Sequence, residues 1–403
     1  MQRISTFELF RSGELALLAR QREVAEAQAR VSSGKRINSP ADDPIAAADA
    51  TATRTALAQF EQFKENQDHA RYLLNLGEST LASFISALQD VREKLVAAGN
   101  GGYSNAERQM IAGELRGIFD RMVGLANASD GTGGYLFAGS RGTAAPFSQS
   151  GLATAFNGDD TLLKLEVSKD RFQQVKFAGD ALFLKIRPGN GSFTTAAAAG
   201  NTGTGVIDPG SVTDPTLVTG SAYTIVFAVA GGATTYQVVR ASDSAIVASG
   251  SYSNPAAIDF DGLQVGIRGT PANGDSFTVA PAGFRSVFDT VATAVQALEN
   301  GPANAAQEAQ FQTALGGVQA SVDRALDHLL LKRAEVGAAL AELDAYANLN
   351  DDRQLEYRTR LSAVEDLDLA AGISELSRRQ TTLEAAIRSY STISKLSLFD
   401  YLG

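Results

Sequence analysis

From Phe60 to Leu95 the apolar residues return by alternating steps of three and four. Phe60, Phe63, Ala70, Leu74, Leu81, Phe84, Leu88, Val91 and Leu95 share one stripe, with Gln67 and Gly77 at intervening positions of the same series. A strand brings every second residue to one face; a period near 3.5 kept over about five heptads fits long helices packed side by side. Counted from Pro44 to about Gly99, such a helix reaches roughly 80 Å at about 1.5 Å per residue. The loop GNGGY follows, and Ser104 and Glu107 have the spacing of a capping box that opens a second helix. Its stripe is Ile111, Leu115, Ile118, Met122 and Leu125, and it ends near SDGTGG.

The far end of the chain repeats this texture. Phe284, Phe288, Val291, Val295 and Leu298 form one stripe, and Asn300-Gly301-Pro302 interrupts it. The pattern restarts with Phe311, Leu315, Val318, Val322, Leu326 and Leu329, passes Val336, Leu340 and Leu343, and ends with Leu369 to Tyr390. Unbroken, that helix would approach ~150 Å, too long for one domain, so a break is expected around YANLNDD, residues 346–352. Between about 140 and 283 the chain turns β-branched and aromatic, with Gly, Pro, Asn and Asp between short runs such as AYTIVFAVA, TTYQVVRA and LQVGIRG. From 189 to 257 the only charged residues are Asp208, Asp214, Arg240 and Asp243, and TTAAAAGNTGTG reads as a loose loop or an edge excursion. The expected fold class is α+β: a long antiparallel helical bundle built from both chain ends, with an inserted β-rich outer domain. The expected parts are terminal helices (1–43 with 353–403), a bundle shell (44–139 with 284–352) and the β-rich domain (140–283).

Between the first two helices lies VSSGKRINSPADDPIAAADA. Proline fixes φ, lacks an N–H and pushes the preceding residue out of the helical region. Gly34 therefore fits just past one helix, and Asp43 fits an N-cap with Pro44 in the first helical position. Gly34, Arg36, Asn38, Pro40, Asp42, Asp43 and Pro44 are the candidate joint.

Composition narrows the function. The 403 residues carry 35 basic and 45 acidic side chains, a net charge of −10, which argues against a nucleic-acid or anionic-membrane partner. The absence of cysteine rules out disulfides and thiolate metal sites, and two histidines, His69 and His328, nearly exclude an imidazole site. Glu8, Arg11 and Glu14 interrupt the N-terminal apolar run, so no cleaved Sec signal is expected. No catalytic, cofactor or metal residues are assigned, and the chain is read as not an enzyme. The carboxylate pairs Asp42/Asp43, Asp159/Asp160 and Asp351/Asp352 sit in turn or cap contexts, and GNTGTG lacks a Walker lysine.

The segment SSGKRINSPADDPIAAADA resembles the N-terminal signature of the flagellin superfamily. Pro44-Ile45-Ala46-Ala47 replaces the usual Ala-Ala-Gly-Leu, and that variant resembles the superfamily's hook–filament junction proteins. GYLFAGS (134–140), FDGLQVGIRGTPANGDSFTV (260–279) and SKLSLFDYL (394–402) agree with it. The resemblance implies terminal helices in an axial tube, bundle helices around them and the β-rich domain outermost. It implies a short ring of subunits joining the first hook-associated protein to the flagellin filament. It also implies type III export to the extracellular flagellum without a cleaved signal, and a cytosolic export chaperone on the C-terminal helix. The assembly interface is then expected on Ile4, Phe7, Leu15, Leu18, Leu369, Ile373, Leu376, Leu383, Ile387, Tyr390 and Leu396, with the free ends disordered. Two other readings stay open: a flagellin, and a secreted adhesin whose insert would use Tyr223, Tyr236 and Tyr252 as its platform.

Overall fold

In the computed structural model the backbone is described for residues 6–402, and side chains for Glu8 and for 10–392. The chain forms two compact units, 66–344 and 1–65 with 345–403. Seven helices and thirteen strands lie among the described residues.

The larger unit is built on α2 (Pro44–Ala98), α3 (Asn105–Ala126), α5 (Val287–Asn300) and α6 (Ala305–Glu365), of which 66–98 and 305–344 belong to it. The stripe expected on α2 is the stripe that is buried: Leu74, Leu81, Phe84, Leu88, Val91 and Leu95 have no exposed surface. Here α2 and α6 run antiparallel, shown by the ion pairs Arg71–Asp344, Glu78–Arg333 and Arg92–Asp323. Ser104 caps α3 with the expected box: its hydroxyl accepts from the Glu107 N–H, and the Glu107 carboxylate accepts from the Ser104 N–H at 2.7 Å. Phe84, Phe119, Phe147, Phe183 and Phe288 form one aromatic cluster, mostly with edge-to-face or tilted rings, centroids 4.6–6.1 Å apart.

Two small hairpins attach to this helical part, β1–β2 (Phe147–Ser150, Ala153–Phe156) and β3–β4 (Lys164–Ser168, Arg171–Gln174). The short helix α4 (Gly179–Phe183) follows them. The β insert then leaves after Ile186 and returns before Arg285. Its two feet are tied together, because the Arg285 N–H donates to the Ile186 carbonyl at 2.8 Å.

The insert holds an antiparallel five-stranded sheet, β10-β9-β8-β13-β5, made of Ile246–Ser251, Ala233–Arg240, Tyr223–Ala230, Ser276–Pro281 and Phe193–Ala197. A second sheet has the order β11-β12-β6 (Ala256–Phe260, Leu263–Arg268, Val206–Ile207), with β7 (Ser211–Val212) also on β12. Two turns fix register. Gly231-Gly232 joins β8 to β9, and Asp261-Gly262 joins β11 to β12; all four residues have positive φ, the backbone that two-residue hairpin loops need.

Two expectations are corrected. The segment 189–257 is no loose excursion: it supplies β5 to β10, and Phe193, Ile207, Tyr223, Ile225, Phe227 and Val238 pack in one core with Ile258, Val265, Phe277 and Val279. Scarcity of charge here reflects strands buried on one face. The expected break at 346–352 does not occur either, and α6 continues to Glu365. That stretch contains neither proline nor glycine, and Asn350 and Gln354 are buried along the helix. The break falls at 366–368, where the Asp368 carboxylate accepts from the Ala371 N–H at 3.1 Å and caps α7 (Leu369–Leu402).

Asp130 and Lys176 form an ion pair at 2.7 Å, both nearly buried. Burial pushes the Asp130 carboxyl up, but the Lys176 ammonium and donors from Thr132 and Gly134 outweigh it and hold the group well below the usual carboxylate range. A depressed folded value contributes stability above the unfolded value near 4, and that contribution is lost as pH falls toward the folded one. Asp130→Asn leaves Lys176 unpaired and is expected to cost about 3 kcal/mol at neutral pH. Urea unfolding against pH should show that deficit shrinking below about pH 4.

Excising 189–283 between the tied feet, with a short Gly/Ser bridge, is expected to leave the helical part folded. Removing 189–257 alone strands β11 to β13 without their core. Thermal melting and protease resistance should therefore be retained for the larger deletion and lost in the residual insert of the smaller one.

Candidate assembly surface and inter-helix joint

The unit formed by 1–65 and 345–403 contains α1 (Thr6–Ser33), the joint, the start of α2, the end of α6, and α7. Helices α1 and α7 pair antiparallel in a constant register. The Phe10 ring meets Tyr390 edge-on at 6.3 Å, a Cβ on Gly13 would strike the Tyr390 ring, and Glu23 faces Arg379 at 3.6 Å. Glu375 accepts from the Arg379 guanidinium at 2.6 Å, and that hydrogen bond lowers the Glu375 carboxyl's pKa.

The α1 seam follows the 3–4 steps Phe10, Gly13, Leu17, Arg20, Val24, Ala27, Val31; the α7 seam follows Gly372, Leu376, Arg379, Leu383, Ala386, Tyr390. The expected interface residues therefore divide. Leu376, Leu383 and Tyr390 are half-buried on the seam within the chain. Leu15 (59% exposed), Leu18 (53%), Leu369 (52%), Ile373 (56%) and Ile387 (47%) stay exposed. Ile4 lies outside the described residues, as do the side chains of Phe7 and Leu396, whose backbones are helical.

The joint is a set of local hydrogen bonds. Gly34 has φ +68° immediately after α1, the left-handed conformation expected of a residue past a helix end. A β-turn spans Ser39 to Asp42 with Pro40 in its second position and the Asp42 N–H donating to the Ser39 carbonyl at 3.0 Å. The Asp42 carboxylate accepts from the N–H groups of Ser39 (2.8 Å) and Asn38 (3.0 Å), which holds its pKa below the ordinary value. Asn38 in turn accepts from the Ser33 hydroxyl at 2.8 Å. Asp43 caps α2 through the Ala46 N–H at 3.0 Å, with Pro44 as the first helical residue. All seven candidate joint residues are thus brought together between α1 and α2.

Sequence reasoning missed the other half of this joint. Lys35 bridges Asp366 through the backbone: the Arg36 N–H donates to the Glu365 carbonyl at 2.6 Å and the Leu367 N–H donates to the Gly34 carbonyl at 2.9 Å. The Arg36 guanidinium donates to the Val364 carbonyl at 2.8 Å. The buried Glu365 carboxylate takes both Lys35, at 3.3 Å, and Arg54. Arg360 pairs with Asp49, and Phe60 stacks on Tyr357 at 5.6 Å. The α1–α2 linker is therefore clipped onto the α6–α7 corner, more than three hundred residues away. The one local signal was the Asp-Leu-Asp run at 366–368 after a long helical pattern.

Several of the residues weighed for catalysis have structural partners. The Ser140 hydroxyl and N–H, with the Thr161 N–H, hold Asp159 down to about 2. Asp275 accepts from the N–H groups of Thr202, Gly203 and Ala272, and the Asn201 and Thr204 N–H groups donate to the Ala198 and Thr270 carbonyls, so four donors of the GNTGTG loop are already engaged. His328 Nε2 meets the Ala181 carbonyl at 2.8 Å, and His69 is exposed. Among the described residues no group of three or more His, Cys, Asp or Glu could hold a metal ion, and no helix is long and apolar enough to cross a membrane.

Comparison with known proteins agrees with this architecture. The family model described as the bacterial flagellin N-terminal helical region matches residues 4–142, and the D2-like domain of flagellar hook-associated protein 1 matches 196–281, within the β insert. Flagellar hook-associated protein 3 of Salmonella typhimurium is 25% identical over 398 residues, covering 98% of each chain. The crystal structure of hook-associated protein 3 from Legionella pneumophila superposes with a TM-score of 0.75 at 28% identity, over 78% of this chain and 98% of that one. FlgL of Xanthomonas campestris gives 0.71 at 34% identity, over 77% of this chain and 99% of that one. On that identity and coverage the chain belongs to the flagellin superfamily, in the family of flagellar hook-associated protein 3.

Proposed function

We propose that this chain is a structural junction protein of the bacterial flagellum, joining a hook-associated protein to the flagellin filament. The observation that carries the reading is the split of the terminal stripes. One seam is used between α1 and α7, while Leu15, Leu18, Leu369, Ile373 and Ile387 are left on the outside. A lone helix pair buries a single seam, and the apolar residues left over are what an assembly of several copies would cover. The partners follow: further copies in a short ring, the first hook-associated protein on one side, flagellin on the other, and a cytosolic export chaperone on the C-terminal helix before assembly. Extracellular placement and export without a cleaved signal belong to the same reading, as does the three-part division into terminal helices, bundle shell and outer β-rich domain. The clipped joint from Gly34 to Pro44 would fix the placement of α1 against α2 in each subunit.

Electron microscopy of a strain lacking the gene tests the function. Hooks without filaments and flagellin shed into the medium are expected, with wild-type protein restoring swimming. A Pro40→Ala/Pro44→Ala variant removes both barriers to helix propagation. It should keep its circular dichroism yet restore swimming poorly. Intact filaments in the deletion strain would sink the reading, and normal swimming by the double variant would remove the joint from it.

The terminal helices, 28 and 34 residues long, are joined to each other by one narrow seam. Ordering backbone costs about 1–2 kcal/mol per residue, so such helices are expected to be marginal in a dilute monomer and to fold on assembly. Limited proteolysis of purified monomer should trim both ends and leave a fragment near 50–350 that keeps its fold but no longer assembles. Protease-resistant ends in dilute, chaperone-free protein would contradict this.

A further inference from the structure

The larger unit carries two surface features of opposite character. The first is the β3–β4 hairpin. It is pinned to α2 from beneath: the Gln67 amide donates to the Val167 carbonyl at 2.6 Å and the Asn66 amide to the Glu166 carbonyl at 2.8 Å. Its register pairs Lys164 with Gln174 and Glu166 with Phe172, so Lys164 and Phe172 share the face opposite Leu165 and Gln173. Phe172 is 64% exposed, and Leu162 and Leu163, just before β3, are exposed as well. Lys164, Lys169 and Arg171 are exposed and make no ion pair among the described residues.

The second is a groove of about 750 Å³ between α2 and α6, lined by Arg92, Glu93, Val96, Asp323, Asp327 and Leu330, with Leu326, among others. Its floor is apolar, with Val96 and Leu330 exposed and Leu326 buried. Its rim is acidic. Arg92 takes up Asp323 and Arg324 lies 3.5 Å from Asp327, while Glu93 has no ion pair among the described residues.

We propose that the β3–β4 hairpin of one copy docks into the α2–α6 groove of a second copy. Phe172 and Leu162 would cover Val96 and Leu330, and Lys164, Lys169 and Arg171 would meet Glu93, Asp323 and Asp327. The inference rests on the reading that copies of this chain assemble, and names a contact within that assembly. Charge complementarity selects a second copy as the occupant: three cations without ion pairs, near exposed apolar residues, match a rim with an excess of carboxylate, its Glu93 unpaired among the described residues, around an apolar floor. One chain cannot make the contact itself. The hairpin's anchor on α2, Asn66 and Gln67, lies 22 to 30 residues before the groove's Gln89 to Val96, roughly 35–45 Å at about 1.5 Å per residue.

Hairpin and groove are different patches, so the contact is heterologous: each copy offers its hairpin to one neighbour and its groove to another. A hairpin tip covers far less than the roughly 1,200 Å² of a stable interface. Dilute chain should therefore not associate through it, and it would act where the terminal helices already hold copies together.

The absence of native cysteine permits a direct test. Phe172→Cys and Leu330→Cys are introduced together, and isolated flagella are oxidised; a disulfide needs Cα atoms within about 7 Å, so it can form only between copies. The expected result is a crosslinked dimer and higher species, absent from either single variant. If the variant protein is recovered in flagella of swimming cells but does not crosslink, the docking proposal is overturned while the junction reading stands. If neither the wild-type nor the variant protein is recovered in flagella, both fall. In a second arm, Lys164→Glu with Arg171→Glu should reduce swimming several-fold with an unchanged melting temperature. Adding Glu93→Lys and Asp327→Lys to the same chain should restore it; failure of that rescue in folded protein also overturns the proposal.

Discussion

The antiparallel return of the chain on itself is the constraint on which the other features depend. Along the α1–α7 pair, Phe10 meets Tyr390, Glu23 meets Arg379 and Lys35 bridges Asp366, so the residue numbers of partners add to nearly the same value throughout. Once the two ends are matched in this register, everything between must leave and come back as closed excursions. The β insert obeys this in miniature: its feet are tied at Ile186 and Arg285, and all its pairings are internal and antiparallel. Excursions of this kind add core without disturbing the frame, because the entropy of closing a long loop rises only slowly with its length.

The corner at Glu365 shows what holds the register locally. A nearly buried carboxylate costs free energy unless it is paired, and here Lys35 and Arg54 approach it from the joint and from the first turns of α2. The backbone bridge beside it engages the carbonyls of Gly34 and Glu365, groups that helix ends leave without intrahelical partners. The same few residues thus end α1, start α2 and stop α6. A shift of register by one residue would misplace the ion pairs and the backbone bridge together, so the corner favours one arrangement over its near neighbours.

Features with local causes could be read from the sequence. The 3.5-residue stripe gave α2, Ser104 with Glu107 gave the start of α3, and Asp43-Pro44 gave the start of α2, because each signal and its effect lie within one or two turns. The break at 366–368 could not be read, since the Asp368 cap competes with no proline or glycine, while NLNDD looks more disruptive and is helical. The apolar residues of the ends were recognisable as a set. Their division into a seam and an exposed stripe depends on which face the partner helix occupies, information carried by residues more than three hundred positions away. The segment 189–257 misled for another reason: alanine, threonine, glycine and valine with little charge describe mobile linkers and half-buried strands equally well.

The distribution of unsatisfied surface then argues for where interaction belongs. The insert closes on itself: Tyr223, Arg240 and Asp261 form an internal network, with the tyrosine hydroxyl donating to Asp261 at 2.8 Å and Arg240 at 2.6 Å from the same carboxylate. Its aromatic residues Phe227, Phe260 and Phe277 are buried. The insert does expose Leu217, Val218, Val226, Val229 and Ile246, but on the helices and the β3–β4 hairpin the exposed large apolar side chains, Leu15, Leu18, Val96, Phe172, Leu330, Ile373 and Ile387, follow helical stripes or flank uncommitted charge. A single exposed leucine has no meaning in itself. Stripes that continue a heptad seam past its partner, and a hairpin whose cations make no ion pair among the described residues, are organised exposures of the kind that the proposed assembly of several copies would cover.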